Sequence, residues 1–264
     1  MNSFLQKIYG ITQERVATAK KAVPVTALEK SPLFSRKTHD VKAAFHHEGY
    51  NIIAEIKFAS PSEGDIYPAG DPVSIAQAYL QAGASMLSVL TEPLYFKGTL
   101  EYLVAVRHAR PDALLLRKDF MVDPYQMLEA KACGADAVLL IVAMTESALT
   151  KELFQAAKVL GLTPLVEVHD EAELEEALKL GADFIGVNNR NLKTLKTDLD
   201  TSRRLAKLKP AGSIFISESG LFTAADLRSM KALGYDGFLM GTHFMRSGKP
   251  GEALRVLKEQ CACV

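Results

Sequence analysis

The sequence predicts an α/β fold, namely a single (β/α)8 barrel with an N-terminal helical extension. Its 264 residues are close to the roughly 250 typical of one such barrel. From about residue 51 onward, short apolar runs alternate with amphipathic helical stretches, which is typical of parallel strands joined by helices. A glycine-containing repeat recurs once per pair of strand-helix units. We therefore expect one domain overall, with the extension at 1–48 and the barrel at 49–264.

Eight apolar runs predict eight strands, the number that this closed barrel requires. They occupy 51–56, 86–90, 114–117, 137–141, 164–168, 184–187, 213–217 and 237–240. Helix starts lie between them. Asp71 and Asp123 each precede a proline, so each places a capping carboxylate before a residue suited to a first turn. Asp170 and Glu173 have the spacing of a capping box.

The repeat favours closure of the barrel. Its glycines, each between a helix and an even-numbered strand, are Gly83, Gly134, Gly181 and Gly234. A glycine in this place can adopt the left-handed conformation that ends a helix. The alternative is an open doubly wound sheet, which the sequence disfavours because no glycine-rich dinucleotide fingerprint follows the first strand.

Composition excludes several classes of protein. Hydrophobic residues make up 48% of the chain, and the 31 Lys and Arg residues balance 31 Asp and Glu residues. A neutral total without a dense basic run argues against nucleic-acid binding, and the richest basic cluster, 203–209, is typical of a solvated helix face. The N-terminus resembles an amphipathic helix rather than a signal sequence, and the longest apolar run, 137–144, is too short to cross a membrane. We expect a cytoplasmic protein.

Cysteine and histidine usage predicts neither disulfides nor a metal site. Cys133, Cys261 and Cys263 form no even framework and are expected to be reduced thiols. The histidines are scattered without the spacing of metal ligands, so hydrogen bonding at the surface or in the core is their expected role. No metal and no cofactor are expected.

Polar residues at the ends of predicted strands are the candidates for chemistry, since barrels of this kind carry their active sites there. Glu55 and Lys57 lie two residues apart and so project to the same side of a strand. Lys118 follows the third apolar run, and Glu167 interrupts the fifth, where a carboxylate has no packing purpose. A purely structural buried ion pair remains an alternative for the first two.

Later strand ends carry a second polar group. Asn188 and Arg190 end the sixth strand on one side, and Glu218 ends the seventh. The glycine-containing pairs Ser219-Gly220 and Gly241-Thr242 follow the seventh and eighth strands, where barrels often bind phosphate through backbone amides. A phosphorylated small molecule is therefore the expected ligand.

Through five motifs, the sequence resembles the indole-3-glycerol phosphate synthase family, which belongs to the ribulose-phosphate-binding barrel superfamily. The motifs are Ile53-Ala54-Glu55-Ile56-Lys57 with Ser60-Pro61-Ser62 and Gly64, Leu90-Thr91-Glu92-Pro93, Leu116-Arg117-Lys118-Asp119-Phe120, 186–192, and Ser217-Glu218-Ser219-Gly220. The resemblance covers nearly the whole chain from the first strand onward. Phe58 and Glu63 depart from it, standing where many members look more basic.

The resemblance implies a carboxy-lyase of tryptophan biosynthesis. Its substrate would be 1-(2-carboxyphenylamino)-1-deoxyribulose 5-phosphate, closed to indole-3-glycerol phosphate with loss of carbon dioxide and water. By resemblance Lys118 is the principal general acid and Glu167 the general base of the dehydration. Lys57 would hold the departing carboxylate or share the acid role, and Glu55 would orient the lysines. We expect burial or positive charge nearby to lower the pKa of the acidic lysine.

The resemblance also assigns binding roles. The residues assigned to the substrate are Asn188, Arg190 and Glu218, with Phe96 and Phe120 beside the aryl ring; the residues assigned to phosphate are Ser60, Ser219, Gly220, Gly241 and Thr242. Packing alone is the alternative for the two phenylalanines.

Two other functions stay open at this stage. The phosphate loops alone would also suit another phosphosugar barrel enzyme, such as an isomerase of the same pathway. A catalytically silent barrel that serves as a subunit is disfavoured by the two lysines and two glutamates. We expect a monomer or weak oligomer, which could associate with other enzymes of tryptophan synthesis.

Overall fold

The computed structural model describes residues 3–67, 70–192 and 194–262. Eight parallel strands form a closed barrel in which each pairs with its sequence neighbours and the last pairs with the first. They are β1 (Asn51–Ile56), β2 (Met86–Leu90), β3 (Leu115–Lys118), β4 (Ala137–Ile141), β5 (Thr163–Val168), β6 (Phe184–Asn188), β7 (Ile214–Glu218) and β8 (Gly237–Met240). The predicted closed barrel is confirmed, and the open-sheet alternative is wrong.

Helices surround the barrel and precede it. They are α1 (Ser3–Ala22), α2 (Val25–Leu28), α3 (Pro72–Gln81), α4 (Leu100–Ala109), α5 (Tyr125–Ala132), α6 (Ser147–Val159), α7 (Glu171–Lys179), α8 (Asp200–Ala206), α9 (Ala224–Ala232), α10 (Thr242–Arg246) and α11 (Pro250–Ala262). Two short 3-10 helices cover Lys42–Phe45 and Val142–Met144. A small antiparallel pair, Ala59–Ser60 with Gly64–Asp65, lies in the loop after β1.

Alternation along each strand divides the core into two layers. Ile53 and Leu116 belong to a cluster inside the barrel, together with residues of the N-terminal extension. Their neighbours Ile52 and Leu115 belong to the cluster between the strands and the surrounding helices. Successive strand side chains point to opposite faces, so polar residues that follow the inward parity reach the barrel axis.

The predicted helix caps are confirmed in part. Asp71 caps α3 by accepting a hydrogen bond from the Ser74 amide at 2.8 Å. Asp123 accepts one from the Tyr125 amide at 2.9 Å, but α5 begins at Tyr125 with Pro124 as its N-cap, so this predicted start lies one residue early. Asp170 accepts from the Glu173 amide at 2.9 Å, but the predicted capping box is wrong in its second half. The Glu173 carboxylate accepts instead from the backbone amide of His169 at 2.8 Å, and the same oxygen lies 3.0 Å from Nδ1 of that histidine.

The glycine repeat ends helices and starts strands. Its four glycines have φ of 83°, 82°, 79° and 93°, the left-handed conformation that the sequence predicted. In two of the repeats, the aspartate that follows caps the neighbouring strand. Asp136 accepts from the Leu115 amide at 3.0 Å, and Asp236 accepts from the Phe215 amide at 2.7 Å. The repeat therefore fixes the amino-terminal end of the barrel.

The N-terminal extension contacts both ends of the barrel. Arg15 of α1 forms an ion pair of 2.6 Å with Asp119, directly after β3 at the carboxyl end. Farther along, Arg36 pairs with Asp136 at 2.7 Å, and the Phe45 ring lies 5.3 Å from that of Phe184 at the amino end. The sequence predicted that the extension packs near one mouth of the barrel. Helix α1 does so at the carboxyl end of the strands, whereas residues 36–45 cover the amino end.

Candidate active site

A cavity of about 200 Å³ opens at the carboxyl ends of the strands. Every residue that the sequence predicted for the site lines it, namely Glu55, Lys57, Ser60, Phe96, Lys118, Phe120, Glu167, Asn188, Arg190, Glu218, Ser219, Gly220, Gly241 and Thr242. Strand length explains part of this convergence. Because β3, β6 and β7 each extend one residue farther than predicted, Lys118, Asn188 and Glu218 are their last residues.

Three buried charged groups form the centre of the cavity. The ammonium nitrogen of Lys118 lies 2.7 Å from Oε2 of Glu218 and 3.2 Å from Oε2 of Glu167. The Lys118 side chain is only 12% exposed, and both carboxylates are less so. The Lys118 ammonium thus forms ion pairs with two carboxylates from different strands.

The Lys118 amine is held as an ammonium. Burial alone would lower its pKa, but the carboxylates of Glu218, Glu167 and Glu55 outweigh burial and raise the pKa above the ordinary lysine value. The expectation of a lowered lysine pKa is therefore wrong for the resting site. It rested on burial or neighbouring positive charge, whereas the fold surrounds the amine with negative charge that outweighs burial.

The two carboxylates differ in their proton affinity. Burial and the neighbouring charges of Glu167 and Glu55 raise the pKa of Glu218 to about 7, despite its contact with Lys118. Burial also opposes ionisation of Glu167, yet Lys118, His169 and Asn188 together hold its pKa well below the usual range. Glu167 is accordingly ionised at neutral pH, and the raised pKa of Glu218 makes it the carboxylate that takes up a proton more readily.

A second ion pair lies beside this centre. The Lys57 ammonium is 2.7 Å from Oε1 of Glu55, and both side chains are largely buried. Glu55 therefore orients Lys57 directly, while Lys118 is held by Glu167 and Glu218. Both residues line the cavity, as the functional prediction requires, while the buried ion pair between them is also the contact that the structural alternative describes.

Asn188 connects the base candidate to the following loop. Its side-chain amide donates to Oε1 of Glu167 at 3.0 Å, and its side-chain oxygen accepts from the backbone amide of Arg190 at 2.9 Å. Arg190 donates to the carbonyl of Leu195 at 2.8 Å, which aligns the guanidinium along the cavity wall. Asn188 thus orients Glu167 in addition to facing the ligand space.

The glycine-containing loops after β7 and β8 lie beside Ser60 along the cavity wall. Ser219 and Gly220 both have left-handed backbones, with φ of 65° and 76°. At Gly241, a Cβ atom would lie 2.7 Å from Oε1 of Glu55, so only glycine permits this close approach. These loops line the cavity with backbone at the place where an anion is expected.

Aromatic side chains flank another part of the cavity. The rings of Phe96 and Phe120 lie 6.3 Å apart at an interplanar angle of 49°. Glu92 holds the first of them by accepting from its backbone amide at 3.1 Å. The two rings therefore pack on each other and line the cavity, so packing and substrate contact are compatible for them.

Sequence reasoning missed several residues around the site. Phe4 of α1 and Arg246 of α10 line the cavity, and Arg246 forms an ion pair with Glu63 of the first loop. His169 lies beside Glu167, with Nε2 3.3 Å from Oε1. Its parity with Glu167 was a usable signal, because residues two apart in a strand share a side. Phe4 and Arg246 carry no such signal, since only the tertiary fold brings them to the strand ends.

Within 3–67, 70–192 and 194–262, no three His, Cys, Asp or Glu side chains are arranged to hold a metal ion. No helix in the same ranges is long and apolar enough to cross a membrane. Cys133 and Cys261 are free thiols, and Cys263 lies outside the described residues.

Comparisons with known proteins agree with the geometry. Residues 5–257 match the family described as indole-3-glycerol phosphate synthase. The chain is 45% identical to the indole-3-glycerol phosphate synthase of Laribacter hongkongensis, over 96% of this chain and 98% of that protein. It is 43% identical to the protein of the same name from Carboxydothermus hydrogenoformans, over 96% and 99%.

A solved structure supports the fold alone. The crystal structure of 3-hexulose-6-phosphate synthase from Salmonella typhimurium matches with a TM-score of 0.65 and 15% identity, over 80% of this chain and 98% of that chain. The match to the family over nearly the whole length decides the assignment. The chain belongs to the indole-3-glycerol phosphate synthase family.

Proposed function

We propose that the chain converts 1-(2-carboxyphenylamino)-1-deoxyribulose 5-phosphate to indole-3-glycerol phosphate, with loss of carbon dioxide and water. The family supports the reaction, and the observation that carries the mechanism is the placement of Lys118 between Glu167 and Glu218. An acid and a base held together at the strand ends suit a reaction that first protonates a ketone oxygen and later removes a proton.

In the first step the substrate's aryl carbon attacks the ketone carbon, and the new carbon-carbon bond closes the ring. The electron pair of the carbonyl moves to oxygen, which takes a proton from the Lys118 ammonium and becomes a hydroxyl group. Loss of the ring carboxylate as carbon dioxide then restores aromaticity. Because its pKa is raised, Lys118 enters the step fully protonated.

In the second step the hydroxyl group takes a proton from the Lys57 ammonium, which shares the acid role, and leaves as water. Glu167, ionised at rest, removes a proton from the closed ring as the double bond of the indole forms. Such general acid and general base steps each contribute factors of about 10²–10⁴. Glu218, with a pKa of about 7 and a contact of 2.7 Å, is placed to return a proton to Lys118 between turnovers.

Cations hold the substrate's anionic groups. Lys57, oriented by Glu55, and Arg190 face the cavity and would bind the departing carboxylate. Ser60 and the loops after β7 and β8 would bind the phosphate through hydroxyl and backbone amide groups. The Phe96 and Phe120 rings would flank the aryl ring.

Indole fluorescence tests the function directly. Purified protein given the substrate should develop the emission of an indole, and mass spectrometry should show loss of one carbon dioxide and one water. Isomerisation of a phosphosugar without ring closure would favour the isomerase alternative. Thermal stabilisation by inorganic phosphate without turnover would favour the silent barrel.

The surroundings of the enzyme remain predictions. We propose a cytoplasmic monomer or weak oligomer, which the free thiols of Cys133 and Cys261 suit. Light scattering of the purified protein measures its mass in solution, and the same measurement in mixtures with other tryptophan-pathway enzymes detects association.

Gly186 supports the catalytic cluster from β6. A Cβ atom at this position would lie 2.1 Å from Oε1 of Glu218, so Gly186→Ala must displace that carboxylate. We expect kcat to fall about tenfold or more, since Lys118 loses its 2.7 Å partner. Gly10→Ala adds the same methyl group in α1, where nothing lies within 4 Å, and should leave kcat unchanged. Equal kcat values for the two variants would contradict the role of Glu218.

A further inference from the structure

A chain of three ionisable side chains leads from the centre of the cavity to helix α7. Glu173 Oε2 lies 3.0 Å from Nδ1 of His169, and Nε2 of the same ring lies 3.3 Å from Oε1 of Glu167. Glu173 is 20% exposed and His169 is 13% exposed, so the chain runs from partly solvated surface to the buried site. His169 is not part of the cavity lining.

Local structure fixes each member of this chain. Glu167 and His169 share a side because they lie two residues apart at the end of β5. Glu173, in the first turn of α7, accepts from the backbone amide of His169 at 2.8 Å as well as facing its ring. The helix start therefore sets the orientation of the imidazole.

The geometry defines where the protons lie. Both ring nitrogens face a carboxylate oxygen, and a carboxylate is not a donor unless it is protonated. A proton therefore lies on Nδ1 toward Glu173, and another lies between Nε2 and Glu167. Nε2 is buried and has no other hydrogen-bond partner among the described residues, so Oε1 of Glu167, at 3.3 Å, is the group that it faces.

We propose that His169, held by Glu173, is a positioning residue that presents an N–H group to Glu167 and thereby keeps the base ionised and oriented. The inference rests on the proposed role of Glu167. It deepens that role, because it names what maintains the base during the reaction.

Other groups around Glu167 show why this residue is needed. Lys118 faces it at 3.2 Å from β3 and Asn188 at 3.0 Å from β6, while the nearby Glu218 of β7 opposes its ionisation. Lys118 gives up its proton to the substrate and then no longer carries compensating charge. His169 takes no part in that transfer, so its charge persists until Glu167 acts.

The charge balance at His169 supports the proposal. Burial opposes protonation of the ring, but hydrogen bonds to Glu167 and Glu173 outweigh burial and raise the pKa of His169 to about 10. The same contacts contribute to the lowered pKa of Glu167. The ring is therefore an imidazolium throughout the neutral range.

The pH dependence of kcat in His169→Gln tests the inference. Glutamine keeps an amide donor but no charge, so the pKa of Glu167 should rise. We expect the acid limb of the kcat–pH profile to move to higher pH by about one unit or more, because Glu167 loses a charged neighbour that favours its ionised form. At pH 7 Glu167 stays ionised in this variant, so kcat should fall about tenfold through lost orientation of the carboxylate, while KM stays within about twofold because His169 does not line the cavity.

A second variant and a direct titration separate the loss of the His169 charge from a folding defect. Glu173→Gln retains an acceptor for the His169 amide but removes the charge facing the ring. In nitrogen-resolved NMR, the wild-type His169 ring should keep both protons at pH 8, and Glu173→Gln should lower its midpoint. Glu175→Gln, on the exposed side of α7 and paired with Lys179, is the matched control and should change neither readout.

A neutral His169 ring at pH 7 in the wild-type protein would overturn the proposal. So would unchanged acid limbs in His169→Gln and Glu173→Gln, provided that Glu167→Gln lowers kcat by about 10²–10⁴, as the role of a general base requires. If Glu167→Gln itself keeps normal turnover, the proposed base is wrong, and the failure lies in the function assigned to Glu167.

Discussion

Lys118→Met is expected to lower kcat by about a thousandfold or more, near the upper range for loss of a general acid. Methionine keeps the length and apolar stem of lysine but has no proton to give, so the ketone oxygen must take its proton from water. The effect should appear in kcat more than in KM, because the phosphate loops and Arg190 are separate from Lys118. Steady-state fluorescence of the indole product measures both constants.

Folding must be checked separately for this variant, since two buried carboxylates lose their shared cation. One of them can take up a proton at neutral pH, and Glu218, whose pKa is already about 7, does so most readily. We therefore expect a native circular dichroism spectrum and continued stabilisation by inorganic phosphate. Lys179→Met, at an exposed lysine of α7, is the matched control and should retain wild-type kcat. Near-normal turnover in Lys118→Met would refute the acid assignment.

Glu167→Gln is expected to lower kcat by about 10²–10⁴, the range for loss of a general base. The amide keeps the shape of the side chain and its contact with Asn188, but its oxygen no longer accepts a proton. Lys118 keeps Glu218 as a partner, so the first step of the reaction retains its acid. Single-turnover kinetics with excess enzyme measure the loss without interference from product release. Glu175→Gln is the control, and an unchanged rate in Glu167→Gln would exclude the base role.

The barrel could be predicted from the sequence because its signals are local. Apolar runs of strand length and glycines at helix ends depend on near neighbours in the chain, and every predicted strand lies within one residue of the observed one at each end. The site followed from the same logic, since strand ends of known parity converge at one end of a barrel. Identification of the chemistry needed the family motifs.

The electrostatics of the site could not be predicted in the same way. The pKa of Lys118 depends on carboxylates contributed by β1, β5 and β7, whose distances are set by barrel closure. The sequence shows that these groups share an end of the barrel but not which ones touch. The structure pairs Lys118 with Glu167 and Glu218, and it pairs Lys57 with Glu55.

The Glu173 contact illustrates the limit of local rules. Its spacing from Asp170 predicts a capping box, and half of that box forms. The carboxylate instead faces His169, a residue whose ring orientation depends on β5 and on Glu167. His169 was thus missed as a site residue, because the sequence assigned its partner Glu173 to the capping box of α7.

Carbon dioxide release measured against indole formation in single turnovers tests the division of work between Lys118 and Glu167 most directly. With a labelled substrate carboxylate, Glu167→Gln should release carbon dioxide faster than indole appears, since ring closure precedes the step that this variant blocks. In Lys118→Met, both signals should fall together. A burst of carbon dioxide in Lys118→Met, or simultaneous slow release of both products in Glu167→Gln, would contradict an acid that closes the ring and a base that completes it.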